Sequence, residues 1–175
     1  MSLVVFLILW IFALSMKKYT VLTLFAAILL FNSCEKDPPA SSSVTKFVFG
    51  FFNGHCQGEK CIELYKLENG HLYEDLDDKY PVGNQYEIGN YTLLSTSLYR
   101  EVSYLRNIVP AELLQMNDTI LGCPDCADQG GLYIEYHTDT EDKRWILDQN
   151  KFHVPAELHS FMDEVNSVAR RLSEE

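Results

Sequence analysis

Positive charge is scarce in this chain: 14 Lys and Arg stand against 25 Asp and Glu, a net charge of -11. Lys17 and Lys18 fall in an apolar leader, so the remainder carries 12 basic against 25 acidic residues, or -13. No basic cluster exceeds the Arg170-Arg171 pair. Proteins bind a phosphate backbone through basic patches that release counterions, so nucleic acid is not an expected partner. An anionic membrane surface is disfavoured for the same reason. Catalytic signatures are missing too. The chain has no His-Glu-x-x-His, Gly-x-Ser-x-Gly, phosphate-binding P-loop or Gly-x-Gly-x-x-Gly, and its five histidines are dispersed. An enzyme is therefore not expected, and a Cys-His nucleophile at Cys56 or Cys123 lacks an activating context. Long apolar runs are also absent. Leu3 to Leu14 and Tyr19 to Phe31 are separated by Ser15-Met16-Lys17-Lys18, and neither reaches the ~20 residues of a transmembrane helix.

What the chain does have is 47% hydrophobic and 13% aromatic residues, enough to pack an interior and too rich for a disordered chain. Three segments follow from the composition. Residues 1–33 are an apolar leader. Residues 34–44 hold a cysteine and then Glu35-Lys36-Asp37-Pro38-Pro39-Ala40-Ser41-Ser42-Ser43, a polar spacer unable to bury apolar surface. Residues 45–175, about 130 in number, suit a single domain.

Read from Met16, the leader has a two-lysine start, a 13-residue apolar stretch and a small-residue site ending at Cys34, the layout of a cleavable export signal expected to begin at Met16. Leu30-Phe31-Asn32-Ser33-Cys34 resembles a lipobox, the site at which bacterial lipoprotein precursors are acylated on cysteine and cut before it. Ser33 fits the pattern, and Phe31 stands where Leu is usual. The resemblance covers only the leader. It implies a lipidated Cys34 as the membrane contact, since two or more acyl chains anchor stably where one holds marginally. Glu35 beside that cysteine, in Gram-negative lipoproteins, implies sorting to the outer membrane.

Hydrophobic period predicts an α+β fold: a small antiparallel sheet from two hairpins and an N-terminal strand, packed against two amphipathic helices. Lys46 to Phe52 reads as a strand. In Ile62 to Leu67, Ile62 and Leu64 fall on one face, Glu63 and Tyr65 on the other. Asn69-Gly70 is a strong hairpin turn, with Leu72 and Tyr73 starting the returning strand. Glu74 to Gly89 reads as a long loop. Leu98, Val102, Leu105 and Val109 recur at helical spacing after a cap at Ser95, Thr96 or Ser97, and Pro110 opens a short second helix. Leu132, Ile134 and Tyr136 alternate with Tyr133, Glu135 and His137, and Trp145 to Leu147 return across the acidic turn 138–142. Leu158, Phe161, Val165, Val168 and Leu172 form one stripe, closed by Arg170 and Arg171 at the negative end of the helix dipole. Val-Pro-Ala-Glu-Leu begins at both Val109 and Val154, either a trace of duplication or a shared way of starting a helix.

The remaining four cysteines form two close pairs, Cys56 with Cys61 and Cys123 with Cys126. In an exported protein disulfides come first. Closing the four-residue ring contributes ~2 kcal/mol, whereas a bridge between the distant pairs would contribute ~4 kcal/mol. Spacing leaves connectivity open, local pairing being simpler. A four-thiolate zinc site is the alternative cofactor reading, with His55 suiting copper or zinc. Thiol redox chemistry at Cys123-Pro124-Asp125-Cys126 is the third, although glycines and a strand follow where a helix N-terminus usually lowers a thiol pKa. Cys-Pro-Asp-Cys-Ala-Asp-Gln-Gly-Gly resembles a loop of small envelope lipoproteins and implies no activity. Asp118, Asp125 and Asp128, and likewise Glu74, Asp75, Asp77 and Asp78, lack EF-hand spacing and read as solvated acids or hard-cation ligands. Asp118-Thr119-Ile120 resembles a bacterial O-glycosylation site. Together these readings point to a lipid-anchored envelope protein that binds another envelope component or a ligand.

Overall fold

Nine residues from Val44 to Phe52 form the central strand, β1. On one side β1 pairs antiparallel with β2 (Ile62–Glu68), and on the other with β6 (Gly131–Thr138). The computed structural model describes residues 43–81, 89–117, 119–124 and 126–175. Cys34, its leader and most of the spacer, with Asp118 and Asp125, lie outside the described residues. Described residues belong to the compact unit Ser42–Glu175.

Two hairpins flank β1. β2 turns at Asn69 and Gly70, both at positive φ, into β3 (His71–Asp75). β6 turns at residues 139–141 into β7 (Asp142–Asp148). Two further strands extend the edges: β4 (Tyr91–Leu93) beside β3, and β5 (Ile120–Leu121), parallel to β7. The order is β4-β3-β2-β1-β6-β7-β5. The fold is α+β, as expected, with seven strands among the described residues where five were read. Strands of two and three residues are too short to display an alternation.

Among the described residues, three α-helices complete the unit. α1 (Thr96–Val102) is capped by the Ser95 hydroxyl, which accepts from the Leu98 N–H at 3.3 Å. It passes at Ser103 into a 3-10 turn that ends at Asn107. α2 (Ala111–Gln115) is a short helix after Pro110. α3 (His159–Leu172) is the long one, and Leu158, Phe161, Val165, Val168 and Leu172 are all buried. α3 lies on β1, β2 and β6. Both Val-Pro-Ala-Glu-Leu copies put proline in an extended conformation just before a helical turn and bury the final leucine, Leu113 or Leu158. They share a local solution.

The sheet is buried on both faces, which the alternation did not suggest. Tyr65, Phe49, Ile134 and Trp145 form one cross-strand row under α3, each at 1% exposure or less. The next row, Leu64, Gly50, Tyr133 and Ile146, points the other way, where Val48, Phe52, Cys61 and Ile62 join a second cluster with Tyr80 packed on it. Tyr133 and Glu135, which alternate with Leu132 and Ile134, are buried too, and so are Glu63 and Tyr65. A strand covered on both sides keeps apolar residues at odd and even positions alike. Each such large side chain adds ~1.5–3 kcal/mol of burial.

Candidate functional site

The two disulfides sit at one end of the sheet. Cys56 and Cys61 pair in the connection between β1 and β2, with Cα atoms 5.6 Å apart, and Cys123 and Cys126 pair between β5 and β6 at 5.5 Å. Register explains their meeting: β1 ends at Phe52 opposite Ile62, where β2 begins, and opposite Gly131, where β6 begins. Gly130 brings the second loop against the first. Its φ is +73°, and a Cβ there would come within 1.8 Å of the Phe52 carbonyl oxygen, so only glycine lets these backbones approach. Gln149 Nε2 also donates to that carbonyl at 3.2 Å. The N-terminal end of β1, where the spacer joins, is the opposite end of the sheet.

One buried carboxylate organises the second loop. Asp148, at 1% exposure, accepts from the Cys123 N–H on Oδ2 at 3.0 Å and from the Asn150 N–H on Oδ1 at 2.8 Å. Asn150 Oδ1 in turn accepts from the Phe152 N–H at 3.2 Å. The turn Lys151–His153 is held further by His159, whose Nε2–H faces the carbonyls of Lys151 and Val154 at 3.0 and 2.9 Å. Phe152 stands at 88% exposure on this fixed turn. Sequence reasoning missed both residues. Asp148 ends a strand and Phe152 stands alone in a polar stretch, and neither has a period to mark it.

A second polar assembly lies on the sheet face opposite α3. Across the strands, Tyr73, Lys66, Val48, Glu135 and Arg144 form one row, and His71, Glu68, Lys46, His137 and Asp142 the next. Lys66 Nζ stands 3.7 Å from the Tyr91 ring centre and 4.9 Å from that of Tyr73, close enough for cation–π attraction. Glu135, with its side chain 6% exposed, takes hydrogen bonds from the Tyr133 hydroxyl and from His137 Nε2 at 3.0 Å, with Lys46 at 3.5 Å and Arg144 at 3.6 Å. Asp142 holds the other ring nitrogen of His137 at 2.6 Å. Burial pushes the Glu135 carboxyl up, but Tyr133, His137 and Lys46 outweigh it and hold it below its usual value. Burial, then the bond and charge of Glu135, raise the Tyr133 phenol well above its ordinary value. Glu135 is thus the common partner of Tyr133, His137, Lys46 and Arg144, while Arg144 Nε and Nη1 are buried with no hydrogen-bond partner among the described residues.

The acids at Glu63, Glu74, Asp75 and Asp78 line a small cleft of about 140 Å³ with Lys60, Leu76 and Ser173. Burial, the largest influence, raises the Glu63 carboxyl despite a hydrogen bond from the Tyr65 hydroxyl at 3.0 Å. With Cys56, Cys61, Cys123 and Cys126 all in disulfides, none presents a free thiolate to zinc or copper. Among the described residues no group of three or more His, Cys, Asp and Glu side chains is arranged to hold a metal. No described helix is long and apolar enough to cross a membrane. No family model, curated protein or solved structure matches the chain.

Proposed function

We propose that this chain is a cell-envelope lipoprotein of a Gram-negative bacterium, anchored to the outer membrane through a lipid on Cys34, whose domain is a binding or structural module with disulfide-stapled loops. The pairing of four cysteines in two short loops carries the reading. Such bridges persist in oxidising compartments outside the cytosol. Once they are made, Cys34 is the single cysteine left over, and it stands at the foot of an export leader. Acylation gives that odd thiol a use. Strong negative charge supports the same reading, because an acidic domain gains nothing from an anionic bilayer and needs a covalent anchor. β1 begins at Val44, at the end of the sheet opposite the two disulfides.

Growth of expressing cells with an alkyne-tagged fatty acid tests the anchor. The wild-type chain takes up the tag and fractionates with membranes, and Cys34→Ala loses the tag and leaves the membrane fraction. Tag uptake equal in Cys34→Ala and wild type would refute the anchor.

A further inference from the structure

We propose that the Cys123–Cys126 disulfide is a thiol–disulfide exchange site that accepts electrons from cysteine thiols of exported polypeptides, with Phe152 as the apolar contact that docks them. The inference goes beyond the binding-module reading and does not depend on the lipid. The two disulfides differ in access. Cys123 and Cys126 are both exposed, whereas in the other bridge Cys56 is exposed but Cys61 is 9% exposed and packs in the cluster with Val48, Phe52, Ile62 and Tyr133. An attacking thiolate must reach a sulfur along the S–S axis, so only the first bridge is open to attack at both ends.

What the fold adds is position. Asp148 joins the Cys123 N–H to the turn bearing Phe152 through Asn150, so disulfide and aromatic ring are held in a set relation. A Cβ on Gly122 would lie 3.1 Å from that of His153, which confirms how closely the cysteine loop and this turn are packed. Phe152, 88% exposed on the turn tied to the cysteine loop, offers an apolar contact to the residues flanking a partner cysteine.

The exchange balances without a cofactor. A partner thiolate attacks one sulfur, the S–S bond breaks, and a mixed disulfide forms as the other cysteine departs as thiolate and takes a proton from water. A second partner thiol, losing its proton, then displaces the first cysteine. The partner dithiol is oxidised to a disulfide, and Cys123 and Cys126 are reduced to thiols. No helix N-terminus is needed, because the pair begins as the electrophile and the attacking thiolate belongs to the partner.

The test treats the full chain in detergent with reduced glutathione and counts alkylated cysteines by mass spectrometry over time. Cys123–Cys126 is expected to open at least tenfold faster than Cys56–Cys61. Exchange rates are then measured with glutathione and with a synthetic dithiol peptide whose cysteines are flanked by leucine and phenylalanine. Phe152→Ser is expected to slow the peptide about tenfold and leave glutathione unchanged, a split that mere exposure of the bridge does not produce. Equal opening rates of the two bridges, or equal slowing of both reagents by Phe152→Ser, would overturn the proposal. Either result leaves the acylation of Cys34 untouched.

Discussion

Replacing Glu135 with alanine removes the carboxylate on which four side chains converge, and the structure sets the size of the loss. Tyr133 and His137 both hydrogen-bond a side chain only 6% exposed, and a bond to a charged group is worth about 1.5–3 kcal/mol. Lys46, with its side chain 31% exposed, reaches water and adds no more than ~1 kcal/mol, and the buried Arg144 Nε, 3.6 Å away, is beyond hydrogen-bond distance of the carboxylate. Against this stands the cost of having buried the carboxylate. Removing one partner of such a set leaves the others uncompensated, for a net loss of about 3–5 kcal/mol. With a urea slope of about 2 kcal/mol/M, that lowers the unfolding midpoint by ~2 M. Trp145, at 1% exposure, reports the transition by fluorescence. The pH dependence supplies a second readout. Because the Glu135 carboxyl is held below its usual value of 4.5, its contribution is present above that pH and is lost as pH falls through the lowered value. Glu135→Gln is expected to flatten that acid limb. A loss below ~1 kcal/mol in Glu135→Ala, with the acid limb unchanged, would refute the reasoning.

Glu63 has the opposite sign. Burial raises its carboxyl above 4.5, so its contribution is present below that pH and is lost as pH rises through the raised value. Glu63→Gln should therefore be more stable than wild type at pH 7, with the gap closing in acid, measured by urea unfolding across pH. Trp145→Ala empties the row under α3 and is expected to cost about 3–5 kcal/mol by circular dichroism. Replacing Cys56 and Cys61 together by serine removes a six-residue ring and should cost ~2 kcal/mol by urea unfolding without abolishing the fold.

Strong period and turn chemistry made much of the fold legible. Asn69-Gly70 set one hairpin, the apolar stripe from Leu158 to Leu172 set α3, and the aromatic run ending at Phe52 set β1, which lies between the hairpins. What escaped was the second buried face. Alternation in β6 put Tyr133 and Glu135 on the face opposite Leu132 and Ile134, but only tertiary context shows that both are buried and that Glu135 is paired by residues from β1 and β7. The cysteine pairs were visible as spacing. Their convergence at one end of the sheet depends on β1 meeting the starts of both β2 and β6, and the Asp148 link to Phe152 depends on hydrogen bonds that no sequence pattern marks.

The attachment at Cys34 is the claim on which the proposed setting of this domain rests, and one spectrum of the N-terminal peptide from native membranes tests it most directly. The account predicts a peptide that begins at Cys34 and carries two or three acyl chains. A peptide that runs through Ser33 into an unmodified Cys34 would contradict it.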